Sequence, residues 1–238
     1  MKSYAILLDT TICTGCNSCT YKCIQENRLH DEASRGLFRT FVEIKDEGTR
    51  HYRCMLCREP VCVDECPEGA LTKTDYGPVL YDESLCVGCE TCADACPFGV
   101  PQLDPASGKI IRCNMCAHRV KDGRQPACVE VCPNLALSFG EYEEIAAIAR
   151  ARAEKEKLHI YGLTENGGGQ FITIMKGDPA SVGYPAVGGK SAKREQPALN
   201  WASTGIAGLA IGGLKAFSDR RARIESEKKK PKPVLKDE

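Results

Sequence analysis

An α+β fold is what this sequence predicts: two related cysteine-rich units, a hairpin inserted between their parts, and one apolar helix near the C-terminus. Three observations lead there. Sixteen cysteines lie only between residues 13 and 132, in four groups of four. Short apolar runs of strand length flank those groups. A twenty-residue apolar stretch, 198–217, differs in kind from everything before it and is followed by a highly charged tail.

The elements follow in chain order. Ala5–Leu8 predicts a first β-strand. Only four or five apolar residues precede Asp9, and no Arg-Arg pair precedes them. That is too short for the apolar region of a signal peptide, so the chain is expected to carry no export signal of its own. Phe38, Thr40, Val42 and Ile44 alternate with charged or exposed neighbours, and Asp46-Glu47-Gly48 is a turn signal. Together they predict a β-hairpin insertion. Val79–Tyr81, Ile110–Ile111 and Leu135–Phe139 predict further short strands. Glu143–Lys157 is rich in Ala, Glu, Lys and Arg, with Ile145 and Ile148 at i, i+3, and predicts a surface helix. Phe171–Met175 predicts another strand, followed by a Gly- and Pro-containing loop to about Pro197.

The chain has 238 residues, with 32 Lys plus Arg against 32 Asp plus Glu. A formal charge of zero gives no reason to expect nucleic acid as a partner. The cysteines are the anomaly. Cys13, Cys16, Cys19 and Cys23 form Cys-x2-Cys-x2-Cys-x3-Cys; Cys86, Cys89, Cys92 and Cys96 repeat that spacing. Cys54, Cys57, Cys62 and Cys66 are spaced x2, x4, x3, and Cys113, Cys116, Cys128 and Cys132 are spaced x2, x11, x3. Three groups end in Cys-Pro (Pro67, Pro97, Pro133), whereas Cys23 is followed by Ile24. This is an internal repeat.

Four chemistries compete for such cysteines. No Cys-x-x-Cys-His occurs, which removes covalent haem. Zinc uses two pairs of ligands to make a tetrahedron and has no use for a third cysteine at i+6 and a fourth at i+10. Cysteines packed this densely in one loop would pair badly as disulfides. A cubane iron–sulfur cluster, by contrast, needs thiolates converging from several directions, and three cysteines spaced x2, x2 wrap one loop round three of its corners. In bacterial two-cluster ferredoxins the fourth cysteine of such a run ligates the other cluster. Groups two and three, with nineteen residues between them, resemble that arrangement. The crossed assignment gives Cys54, Cys57, Cys62 with Cys96, and Cys86, Cys89, Cys92 with Cys66. Groups one and four then give Cys13, Cys16, Cys19 with Cys132, and Cys113, Cys116, Cys128 with Cys23. The alternative is that each group closes its own cluster. Four [4Fe–4S] clusters, at about −2 each when oxidised, add roughly −8 to a neutral chain. Lys22, Arg53, Arg58 and Arg112 could offset that locally and raise reduction potentials, or could be solvated surface charges.

Four such groups, in this order and with the long x11 gap in the last, resemble the iron–sulfur subunits of molybdopterin oxidoreductase complexes over roughly residues 1–140. The family includes the electron-transfer subunits of dimethyl sulfoxide, polysulfide and nitrate reductases, formate dehydrogenases and some membrane hydrogenases. In some relatives a replaced cysteine gives [3Fe–4S]; here all sixteen positions are Cys. Ile160-Tyr161-Gly162 through Gly167-Gly168-Gly169, the strand at 171–175 and the apolar C-terminal segment look like formate dehydrogenase β subunits, and membrane hydrogenase subunits share some of these features. The resemblance implies two ferredoxin-like units and a relay between a molybdenum or tungsten catalytic subunit and a membrane cytochrome b or quinone-reactive subunit. It also implies a catalytic-side end at the cluster of Cys86, Cys89, Cys92 and Cys66, and a membrane-side end at that of Cys113, Cys116, Cys128 and Cys23.

Residues 198–217 have the length of one bilayer crossing. Gly205, Gly208 and Gly212 share a helical face that lets another helix approach closely. A transmembrane helix is expected, against a Gly-rich helix lying on a soluble partner. Eight basic residues in 218–238 against three in the twenty residues before Ala198 place the tail in the cytoplasm and the cluster domain on the periplasmic face of the cell membrane. The expected organisation is a four-cluster domain (1–140), a helix–strand extension and linker (141–197), the membrane helix (198–217) and a basic tail (218–238).

Of the four histidines, His118, two residues after Cys116, could tune a cluster, but hydrogen-bonded surface is the commoner role. Gly167-Gly168-Gly169 precedes a strand instead of opening a helix, so it is no phosphate cradle. No Ser-His-Asp set, Walker loop or hydrolase metal motif is present, so a non-catalytic electron carrier is expected. A free-standing polyferredoxin remains the other class, and it would need neither the apolar segment nor the basic tail.

Overall fold

The computed structural model describes residues 2–188, a single compact unit. The expected membrane helix, the basic tail and the end of the linker lie outside those residues. Among the described residues no helix is long and apolar enough to cross a membrane.

The N-terminal apolar run becomes strand β1 (Tyr4–Asp9), and it organises the largest sheet. β1 pairs antiparallel with β8 (Leu137–Glu141), Ile6 opposite Phe139, and parallel with β10 (Phe171–Met175), Ile6 opposite Phe171. β9 (His159–Tyr161) completes the order β8-β1-β10-β9. β10 is buried along its whole length, Thr173 included, as befits a central strand with four apolar residues of five. The extension after residue 140 therefore shares a sheet with the first strand of the cysteine-rich part.

Helix α7 (Tyr142–Glu156) covers one face of this sheet, with Tyr142, Ile145, Ala146, Ala149 and Ala153 buried. Of the two isoleucines, Ile145 is buried and Ile148 is 52% exposed. Alanines take the inner positions because small side chains let the helix lie close on Ala5, Leu7, Ile172 and Ile174. On the opposite face Ile6, Leu8, Phe171 and Leu137 join the core that holds Cys19, Cys54, Cys113 and Cys128.

The inserted hairpin is β2 (Thr40–Lys45) with β3 (Gly48–Arg53), joined by Asp46-Glu47 with Lys45 opposite Gly48. Its inner face is Thr40 and Val42 with Thr49, His51 and Arg53; Ile44 is 69% exposed, contrary to its place in the predicted alternation. Two smaller hairpins, β4 (Leu71–Lys73) with β5 (Val79–Tyr81) and β6 (Gln102–Asp104) with β7 (Lys109–Ile111), follow groups two and three. Leu135 and Ala136 precede β8, because Leu135 takes a left-handed turn conformation at φ 54°.

The helices explain one oddity of the repeat. Helices α3 (Val61–Asp64), α4 (Thr91–Asp94) and α6 (Ala127–Glu130) have four residues each, and each is followed within three residues by the Cys-Pro of its group. Proline cannot continue a helix, since it lacks the N–H and clashes with the preceding turn. Group one has Ile24 instead, so α1 (Ser18–Asn27) runs on for a full ten residues. Two further short helices, α2 (His30–Ser34) and α5 (Ala117–Lys121), and a 3-10 turn at Glu165–Gly167 are the remaining helical elements among the described residues.

Candidate metal centres

Each group begins with a Cys-x-x-Cys loop whose last intervening residue is left-handed: Gly15 (φ 69°), Leu56 (φ 54°), Gly88 (φ 69°) and Met115 (φ 56°). That turn curls the loop so that the thiols point to one side. Leu56 and Met115 adopt it at a steric cost of about 1–2 kcal/mol each. Both are fully buried, so the surrounding packing enforces the conformation. The amide N–H groups of Leu56 and Met115 donate to the Cys54 and Cys113 sulfurs at 3.4 Å.

The sixteen cysteines surround four cavities. One is lined by Cys13, Cys16, Cys19 and Cys132. A second has Cys23, Cys113, Cys116 and Cys128. The third has Cys54, Cys57, Cys62 and Cys96, and the fourth Cys66, Cys86, Cys89 and Cys92. Each cavity thus takes three thiols from one group and one from another. The helices cause this. Cys19 and Cys23 both lie on α1, four residues apart, and face successive cavities; Cys62 on α3 and Cys66 just after it do the same.

The space between the thiols, open mouths and adjoining solvent included, measures about 290–370 Å³. Among the described residues no three His, Cys, Asp or Glu groups converge on one metal ion. The thiols ring a volume instead of a point. Burial pushes the thiols of Cys19, Cys57 and Cys62 up to about 12, so without a cation they stay protonated. Metal binding must displace those protons.

Two arginines test whether an anionic group belongs here. Arg53 and Arg112 are each 3% exposed. The Arg53 guanidinium donates to Cys113 Sγ at 3.2 Å and Cys128 Sγ at 3.6 Å, and stacks on Phe171 with its centre 4.3 Å from the ring. Arg112 donates to Cys54 Sγ at 3.2 Å. Burial opposes both charges, and the neighbouring sulfurs more than offset it. Arg53 Nε and Arg112 Nε and Nη1 have no hydrogen-bond partner. A buried cation left unpaired is strongly destabilising. Thiolate-bound iron–sulfur clusters, which are anionic, satisfy it, so donor set, void and charge all fit that group.

The basic residues thus divide. Arg53 and Arg112 lie inside; Lys22 is half-buried with no sulfur contact, and Arg58 is exposed, over the Tyr142 ring at 5.1 Å. His118 is surface, its Nε2 2.9 Å from Glu26 Oε1. Sequence reasoning missed His51, which is buried with Nε2 3.4 Å from Cys13 Sγ, and whose charged form burial disfavours. It also missed Lys73, which donates to the Cys57 carbonyl at 2.8 Å and to Gln170 Oε1 at 2.7 Å. Thr49, His51 and Arg53 recur every second residue on β3, and that period was the available signal. Gly167-Gly168-Gly169 acts by close approach: a Cβ on Gly169 would sit 2.4 Å from the Met55 carbonyl oxygen, and Gly169 bridges to Cys57. The triglycine lays the extension against the second cysteine loop.

The cavities follow one another in a row. Cys62 and Cys66 join the set of Cys66, Cys86, Cys89 and Cys92 to that of Cys54, Cys57, Cys62 and Cys96. Arg53 and Arg112 join the latter to the set of Cys23, Cys113, Cys116 and Cys128, and Cys19 and Cys23 join that to the set of Cys13, Cys16, Cys19 and Cys132. The expected end at Cys23, Cys113, Cys116 and Cys128 is therefore corrected. That set has a neighbour on either side, and the row ends at the set of Cys13 instead.

Fold and cysteine sites define a ferredoxin-like [4Fe–4S] protein, and residues 49–142 match the family model of the 4Fe-4S dicluster domain. The chain is 36% identical to an anaerobic dimethyl sulfoxide reductase subunit of Escherichia coli, over 60% of this chain and 75% of that subunit. It is 37% identical to the thiosulfate reductase electron transfer subunit PhsB of Salmonella typhi, over 64% and 83%. With the formate dehydrogenase-O iron-sulfur subunit of Escherichia coli it shares 31% identity over 75% of this chain and 63% of that one. This chain belongs to the family of iron–sulfur electron-transfer subunits of molybdopterin oxidoreductases.

Proposed function

We propose that the chain is a non-catalytic relay holding four [4Fe–4S] clusters, one in each four-cysteine cavity, ligated in the crossed pattern. When bound, each cluster takes up and passes on one electron. The chain's part is to supply sixteen thiolates, to hold the cavities in a row and to wall the inner ones from water. The observation that carries this is the composition of the cavities: three thiols of one group with the last thiol of another, four times over.

The partners in this reading are a molybdopterin catalytic subunit and a membrane cytochrome b or quinone-reactive subunit. Formate dehydrogenase is the favoured complex, because likeness to the formate dehydrogenase-O subunit covers 75% of this chain, against 60% for the dimethyl sulfoxide reductase subunit. Residues 198–217 would anchor the chain in the cell membrane, with the flanking charge placing the cluster domain on the periplasmic side.

Metal analysis with a ligand variant tests the relay. The anaerobically purified chain should hold about sixteen iron and sixteen sulfide, four of each per cysteine set, and no zinc. Cys66→Ser should disturb the cluster of Cys86, Cys89 and Cys92 and leave that of Cys54, Cys57 and Cys62 intact. Three clusters in the wild type, or the reverse pattern in the variant, would defeat this reading.

A further inference from the structure

Arg53 and Arg112 stand in matching places. Each immediately precedes the first cysteine of a group, Cys54 or Cys113, and each reaches across to the other group. Arg53 lies on Cys113 and Cys128; Arg112 lies on Cys54. The exchange is reciprocal, and it occurs where the two halves of the cavity row meet. Each arginine keeps unpartnered buried N–H groups beside the cavity it serves. Among the described residues no carboxylate pairs with either.

The outer cavities are built differently. Around Cys13, Cys16, Cys19 and Cys132 the polar groups at the sulfurs are His51, the Thr14 side chain and the Ser18 hydroxyl, 3.4 Å from Cys16 Sγ, while Arg53 acts on Cys19 only at longer range, without a hydrogen bond. At the other end the Thr91 hydroxyl lies 3.3 Å from Cys89 Sγ. Lys109 is near, but it is half-buried and donates to the Cys86 carbonyl at 2.6 Å instead of to a sulfur. A cation fixed in a dry interior stabilises the more negative, reduced form of a neighbouring cluster, and hydrogen bonds to ligand sulfur act in the same direction.

We infer that Arg53 and Arg112 are potential-setting residues that raise the two inner clusters above the two outer ones, each arginine acting on the cluster of the opposite group. The junction between the halves is then where an electron rests in the relay. This rests on the four-cluster reading, and each arginine is a positioning residue for charge.

The test is a redox titration followed by electron paramagnetic resonance on the full chain purified with its partner subunits. Arg53→Gln should lower one of the two higher-potential couples, reducing its reduced-to-oxidised ratio about tenfold at fixed ambient potential, about 59 mV for one electron. Arg112→Gln should do the same to the other, with the outer couples moved by less, since Arg53 and Arg112 reach Cys19 and Cys92 only through space, and iron content unchanged. The couple moved by Arg53→Gln should be the one altered by Cys116→Ser, and the couple moved by Arg112→Gln the one altered by Cys57→Ser. Arg53→Lys should retain part of the potential. Unmoved inner couples, the reverse pairing, or loss of a cluster in both the Gln and the Lys variants would overturn the inference. A wild-type protein short of four couples would instead defeat the four-cluster reading, before any arginine is changed.

Discussion

The half that carries groups one and four closes its cavities against a four-stranded sheet, whereas the half that carries groups two and three has only two hairpins with three-residue strands. In the first, β1, β8 and β10 place Ile6, Leu8, Leu137 and Phe171 against the cysteines, and α7 seals the far face with its own apolar layer. In the second, the apolar residues packed on Cys62 and Cys92 are Leu71, Val79 and Ile110, with few others. The cavity of Cys54, Cys57, Cys62 and Cys96 still reaches the main core through Met55, Leu56, Phe98 and Val100, and only that of Cys66, Cys86, Cys89 and Cys92 rests on the small cluster alone. Hairpins with so small an apolar cluster should depend on bound metal for their folding more than the sheet does.

The largest effect should come from removing iron and sulfide. Amides in residues 61–111 should then lose protection from hydrogen exchange, read by mass spectrometry, while β1, β8, β10 and α7 keep theirs. Loss of protection in both halves together would erase the distinction between them.

A core truncation sharpens it from the other side. Phe171→Ala should cost about 3–5 kcal/mol of stability in denaturant titration, because a fully buried ring at the sheet centre is lost with its contact to Arg53. Leu80→Ala in the hairpin half, where the side chain is 39% exposed, should stay within about 0.5 kcal/mol. Equal costs would mean that the hairpins carry more packing than the structure shows.

The smallest expected effects separate two glycines of the hairpin half. Gly88→Ala would drive a Cβ to 2.4 Å from the Gly108 carbonyl oxygen, so the turn between β6 and β7 must move and the cluster of Cys66, Cys86, Cys89 and Cys92 should become labile to oxygen. Gly99→Ala meets nothing within 4 Å and should cost only the left-handed strain at φ 61°, about 1–2 kcal/mol, visible in the thermal midpoint. Similar iron retention in the two variants would remove the steric argument at Gly88.

Much of this was open to sequence reasoning where the cause is local. Val79–Tyr81 and Phe171–Met175 form strands with those same limits, and the turn at Asp46-Glu47 closes the hairpin, because short apolar runs and turn residues act on their nearest neighbours. The parallel pairing of β1 with β10 left no such mark, since its partners are 165 residues apart at Ile6 and Phe171. Ile148 and Ile44 are both exposed. The buried face of α7 runs through Ala146, Ala149 and Ala153, and alanine periodicity carries little hydrophobic signal.

By itself the sequence determined the inventory of cysteines, the loops that curl round each set of thiols, and the length of the following helices. Those follow from Cys-x-x-Cys spacing, from Pro67, Pro97 and Pro133, and from Ile24, all of which act within a few residues. Only the tertiary structure decided that Arg53 and Arg112 are inside and that Lys22 and Arg58 are not. It alone decided that the set of Cys23 lies within the row while that of Cys13 ends it. Those facts depend on which distant segments share a dry interior, and charge, spacing and composition are the same whichever way those segments pack.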